Sequence, residues 1–272
     1  MDPYAWTWNE ETLVLVAGLA VGYAIVVKQL GARWWQVACF ALAVVLILAF
    51  GISPLHEISV HYLLWIHLLQ NVVLAEWAPF LLVVSLPATL AAALVGPRWM
   101  QRLTHPAVAL TLWLANYMVW HVPVIYDAAL RREHSLLHLE HLAYLATGVL
   151  VWWPVLQDVP WRRAAGARAL YVFGAFVLAA PIGLVLALVQ SPAYSVYEHA
   201  PMRLWGLSPL ADQQLGGVTM AGEQAVVFFA VFVFFFVRFL AEQEHSPDDE
   251  SQGVWPSGQT PVEDKPGSGQ KA

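Results

Sequence analysis

The stretch ALYVFGAFVLAAPIGLVLALVQ, residues 169–190, runs for 22 residues without a charge. A helix crossing the hydrocarbon core of a bilayer needs about 20 mostly apolar residues, so this stretch reads as a transmembrane helix. Six further runs of the same kind flank it, at residues 11–27, 34–52, 60–86, 107–126, 136–156 and 215–240. The fold expected is all-α: a polytopic membrane protein with seven transmembrane helices in one domain, residues 1–240. The third run is long and contains Pro79, where a kink is predicted. Residues 241–272 are rich in Ser, Pro, Gly and acids and read as a disordered, acidic cytoplasmic tail.

Composition agrees. Of the 272 residues, 59% are hydrophobic and 12% charged, against about 25% charged in a soluble domain. The net charge of −6 and the lack of any basic run longer than a pair argue against nucleic-acid binding. Seven acids and two bases in residues 241–272 place most of that charge in the tail. The single cysteine, Cys39, excludes a disulfide framework, a CxxC redox pair and a thiolate metal site. Orientation follows from Lys and Arg. With the N-terminus outside, ten lie in inside loops or the tail and three in outside loops, so N-out and C-in is expected. Lys and Arg are missing ahead of the first apolar run, and no signal peptide is expected. The Trp34-Trp35 and Trp152-Trp153 pairs read as interfacial belts.

The ten histidines are distributed unevenly. On that orientation His56, His61, His67, His121, His134, His138, His141 and His199 fall in the outer half or outer loops; His105 and His245 do not. Imidazole suits copper, zinc, iron and nickel, and an ionisable group within a membrane helix is a functional candidate by default. His134, His138 and His141 recur at i, i+4 and i+7 and would share a helix face. Glu140 lies about 100° off that face and is a candidate orienting partner. His67 and Asn71 are one turn apart. His121 lies one to two turns before Asp127 in the fourth run. Glu76, expected in the inner half of the third helix, and Glu223, in the outer half of the seventh, should face the interior as a proton or ion relay or as backbone partners. Met220 is a candidate soft ligand. The Gly216-Gly217 pair is expected to permit close helix approach rather than cradle phosphate.

Three stretches resemble the CtaG family of bacterial cytochrome c oxidase assembly factors, seven-helix membrane proteins linked to the copper-containing caa3-type oxidase. They are HLLQNVVLAEWAPFLLVVSLP (67–87), NYMVWHVPVIYDAALRREHSLLHLEHLAYLATGVLVWWPVL (116–156) and DQQLGGVTM (212–220). The resemblance covers roughly residues 50 to 240. The sequence departs from it at Asn71, where many relatives have a second histidine, and at Ala75-Glu76, where they carry a Met-rich run. The resemblance implies a non-enzymatic assembly factor in the bacterial inner membrane, with oxidase subunits and a copper donor protein as partners. It implies that copper is handled through His67, His121, His138 and His141, with Asn71, Asp127, Glu140 and Met220 in support. The alternative expectation is a haem- or quinone-handling membrane redox protein, since paired histidines on facing helices also ligate haem iron.

Overall fold

A computed structural model describes residues 2–244, apart from the side chains of Glu133 and His134. The expected tail beyond Glu244, His245, and the share of His134 in a histidine face all lie outside the described residues.

Every described element is helical. Asn9 caps α1 (Glu10–Leu30), accepting from the Glu11 and Thr12 N–H groups. α2 (Trp34–Gly51) follows, and both helices lie at the edge of the bundle with most of their surface outward. α3 (Pro54–His61) is a separate short helix started by Ser53 and Pro54. The third span therefore begins at α4 (Leu64–Val72), later than its apolar run suggested. It continues through a π-helical turn, Val73–Trp77, into α5 (Ala78–Ser85), and counts as one span of 22 residues.

The wide turn stands immediately before Pro79, where the sequence predicts a kink. Proline lacks the N–H that would bond the carbonyl four residues back, here Ala75, so the ladder must rearrange. Gly148 on α10 (His138–Leu156) lies against this carbonyl and the Pro79 ring, where any side chain would collide. The Trp152 indole donates to the Glu76 carbonyl at 2.9 Å. Trp152 and Trp153 are thus buried core residues and not an interfacial belt, whereas Trp34 is 83% exposed.

After α6 (Ala88–Leu94) and α7 (Arg98–Leu103), the fourth run splits into α8 (Pro106–Trp120) and α9 (Pro123–Arg131). The two meet at 75°, because Pro123 cannot continue the ladder and Val122 is extended. His121 and Asp127 are therefore not stacked along one axis. α11 (Ala165–Leu188), α12 (Ser195–Glu198) and α13 (Pro209–Glu244) follow. Among the described residues six helical spans are long and apolar enough to cross a membrane, or seven if the bent pair α8 and α9 counts as one span.

α11 and α13 pack closely. A Cβ on Gly217 would lie 2.5 Å from the Ala187 nitrogen and 2.6 Å from the Gly183 oxygen, which bears out close helix approach at this glycine pair. At the centre α8, α10 and α13 enclose Trp113, Tyr117, Tyr144, Trp152 and Phe228, all at most 2% exposed.

Candidate functional site

The site lies where α4, α9, α10 and α12 meet. Its frame is set by side chains that bond backbone. Asp212, at the start of α13, accepts from the Leu64 and Trp65 N–H groups at 2.7 and 3.0 Å. It satisfies first-turn donors of α4 that the helix itself leaves open, so the helix bearing His67 is fixed from across the bundle. Asp127 on α9 accepts from the Ser195 and Val196 N–H groups at 3.2 and 3.3 Å, and from the Ser195 hydroxyl. It thereby caps α12 and holds Tyr194 and Tyr197 over the site. Burial pushes both of these phenols up, so they stay neutral hydroxyls. The Gln213 side-chain oxygen accepts from the Ala193 N–H at 2.6 Å.

Inside this frame sits His67, fully buried. Its Nε2 is 3.6 Å from Glu140 Oε1, and neither ring nitrogen has a hydrogen-bond partner among the described residues. Asn71, one turn on, donates to the same Glu140 oxygen at 2.9 Å. Glu140 is 1% exposed and projects from α10 between the two. His141 brings its ring centroid to 6.2 Å from that of His67, and its Nε2 is buried and unpartnered. The Tyr126 ring lies tilted against His67 at 5.1 Å, with Tyr197 edge-on at 6.3 Å. The Tyr144 hydroxyl and the Asn71 side-chain oxygen are likewise buried and without hydrogen-bond partners among the described residues.

His121 caps the end of α8, where its Nδ1–H donates to the Tyr117 carbonyl at 2.8 Å. That bond leaves the lone pair on Nε2, which is buried and without a hydrogen-bond partner among the described residues. The Tyr126 ring lies between His121, at 6.3 Å, and His67.

His138 turns the other way. Its Nδ1 is 2.8 Å from Glu11 of α1, with Asn9 at 3.4 Å from Nε2, so it binds the edge helix to α10. It and His141 border an apolar cavity of about 720 Å³ that opens between α1, α2, α4 and α10. His56, which sequence reasoning placed in the outer group without singling it out, is buried in α3. Burial, with the charges His67, His61 and His138 would carry, pulls it down to about 4, so it stays neutral at ordinary pH.

Four expected participants stand elsewhere. Asp127 is a backbone cap. Met220 is a core residue, 1% exposed. Glu76 and Glu223, expected in opposite halves of the membrane, meet at one depth. Gln224 donates to Glu76 Oε1 at 2.8 Å and to the Tyr117 hydroxyl at 2.8 Å, the Trp77 indole donates to Glu223, and the two carboxyl groups lie within hydrogen-bonding reach of each other. α13 starts six residues before its apolar run, and that offset carries Glu223 deeper.

Among the described residues no three His, Cys, Asp or Glu side chains converge closely enough to hold a metal ion. The nearest approach to such a set is the His67 and His141 pair with Glu140 beside it. Its chemistry fits a metal: imidazole nitrogens without hydrogen-bond partners among the described residues, and a buried carboxylate beside one of them.

The chain is similar to an uncharacterized protein of Mycobacterium bovis, 25% identical over 249 aligned positions covering 77% of this chain and 36% of that protein. It is similar to the same extent to an uncharacterized protein of Mycobacterium tuberculosis. It thus spans about a third of the length of the curated relatives it matches. No solved structure matches it. The family model of the cytochrome c oxidase caa3 assembly factor (Caa3_CtaG) matches residues 17–242, nearly the whole described chain. The chain belongs to this family of cytochrome c oxidase caa3 assembly factors.

Proposed function

We propose that this protein assists oxidase assembly by holding copper as transient cargo at the histidine end of the bundle and passing it to an oxidase subunit. The observation that carries the reading is the set of buried imidazole nitrogens without hydrogen-bond partners: both of His67, Nε2 of His141 and Nε2 of His121. A buried polar atom left unpartnered costs about 1–3 kcal/mol, so four in one place favour a site kept for an occupant. His67 and His141 are the first pair to bridge a Cu(I) ion, and His121 receives it on the far side of Tyr126. Glu140 orients His67 and offsets the cation's charge. Gln224 and Tyr117 connect the Glu76–Glu223 carboxyl pair to the backbone carbonyl that holds His121. On this reading the protein is not a catalyst. It is a multi-pass protein of the bacterial inner membrane with its histidine end outward, taking copper from a donor protein.

The test is copper content of the purified protein after loading with Cu(I), repeated for His67→Ala and His141→Ala, alongside oxidase content of membranes carrying the same variants. Near-stoichiometric copper in the wild type, lost in both variants together with assembled oxidase, is the expected result. Undiminished oxidase in both variants would sink the site.

One observation favours a second reading. The apolar cavity of about 720 Å³ beside His138 and His141 is large enough for a quinone headgroup. A haem Soret band or a co-purifying quinone, with no copper, would favour that redox reading instead.

A further inference from the structure

At the opposite end of α11 and α13 lies a second polar site that the histidines do not touch. Arg162, Arg163, Arg168 and Arg238 surround a pocket of about 470 Å³, which Asp158 and Glu242 also border. Arg168 is fixed: it pairs with Asp158, donates to the Val155 carbonyl at 2.9 Å and lies over the Phe235 ring. Arg238 reaches Glu242 at 4.0 Å. No described carboxylate pairs with Arg162 or Arg163, and the Arg163 Nε is buried without a hydrogen-bond partner among the described residues. α11 begins here without a side-chain cap, so its first N–H groups add partial positive charge to a pocket with two uncompensated guanidinium groups.

Against this pocket runs an apolar groove of about 490 Å³ between α11 and α13, lined by Leu170, Phe173, Phe232, Phe236 and Phe239. Pocket and groove share Ala164 and Glu242, so they meet at the helix ends. Leu170 is 72% and Phe173 46% exposed, so the groove lies open along the bundle's flank. A positive pocket at the end of an open apolar groove matches one kind of molecule, anionic at one end and hydrocarbon at the other.

We propose that this is a binding site for an anionic phospholipid, with its phosphate among Arg162, Arg163 and the start of α11 and an acyl chain along the groove. The guanidinium forks of Arg162 and Arg163 donate to phosphate oxygens. Arg168 and Arg238, held by their own carboxylates, shape the pocket and do not add to its net charge. All four belong to the basic set that marks the inside face on the expected orientation, where basic pockets between helices take anionic lipid headgroups.

The experiment uses the full chain in detergent, offered phosphatidylglycerol, phosphatidylcholine or inorganic phosphate, with retained lipid read by native mass spectrometry and stability by thermal shift. The expected result is about tenfold greater retention of phosphatidylglycerol than of phosphatidylcholine. A rise in Tm should accompany it, and inorganic phosphate should produce none. R162Q/R163Q should bring retention down to the phosphatidylcholine level, and R162K/R163K should restore part of it. Equal retention of the two lipids overturns the proposal. So does a Tm rise with phosphate alone, which would make this a small-anion site. A further variant neutralises Asp248, Asp249 and Glu250 as D248N/D249N/E250Q. If phosphatidylglycerol is retained only after all three are neutralised, the chain's own tail is the occupant and the lipid reading fails.

Discussion

Two sets of buried polar residues share the histidine end of the bundle, and they differ in how fully they are bonded. Asp212, Asp127 and Gln213 each accept from backbone N–H groups: Leu64 and Trp65, Ser195 and Val196, and Ala193. Each removes a donor that a helix or loop start would leave open. His67, His141 and Asn71 sit at the same end with atoms that bond nothing described. The first set contributes to stability through bonds already made. The unpartnered atoms of the second contribute no such bond, and replacing such groups by apolar ones of similar shape is close to neutral for stability. The division is between a frame and a site, and it can be broken experimentally.

The largest effect should come from the close backbone approach of α11 and α13. Gly217→Leu forces a side chain into the Ala187 and Gly183 backbone of α11, and the expected outcome is loss of folded, monodisperse protein on size exclusion. Asp212→Ala is next. It leaves two N–H groups of α4 unpaired, one of them buried, and should cost about 3 kcal/mol in thermal unfolding. The copper stoichiometry of whatever remains folded should be unchanged. His67→Phe reverses that pattern: stability within about 1 kcal/mol of wild type, copper absent. If it destabilises as much as Asp212→Ala, the histidine belongs to the frame and the comparison collapses. The mildest variant is Glu140→Gln. An amide keeps a hydrogen bond to Asn71 but loses the charge that orients His67, so copper affinity should fall about tenfold with little change in Tm.

The spans were readable from the sequence because apolar run length alone sets them. Their faces were not. In a helix apolar on all sides, periodicity carries little information about which side meets which neighbour. For that reason His138, placed with His141 by spacing, turns to Glu11 of α1 instead, while Glu140, off the expected face, points inward at His67. Depth was misread where helices outrun their apolar cores. α13 begins at Pro209, and Glu223 meets Glu76 instead of lying in the opposite half. The Trp152-Trp153 pair had the composition of an interfacial belt but packs in the core, because each indole N–H finds a backbone carbonyl there: Glu76 in the π-helical turn for Trp152 and Val159 for Trp153. His67, the Gly216-Gly217 approach and the family were all readable in their local motifs. Asp212 was quoted inside one of those motifs, but its bonds to α4 join residues some 150 positions apart, a distance at which spacing along the chain is uninformative.

The wide turn at Val73–Trp77 has a consequence for how the third span tolerates length changes. A π-helical turn is an α-helix with one residue inserted, so the residues before and after it follow two separate angular counts. The five residues of the wide turn cover about the angle that four cover in an α-helix, so the extra residue is absorbed without rotating one half of the span against the other. His67 and Asn71 thus face Glu140 while Glu76 faces Gln224 and Pro79 faces Gly148. Deleting one residue between 73 and 77 would leave both halves in angular register and shorten the span by about 1.5 Å. It would also return Pro79 to a ladder position where its N–H is missing and its ring collides with the carbonyl four residues back. The spare residue is slack that lets a proline sit inside a span without turning the histidine half away from the carboxyl pair.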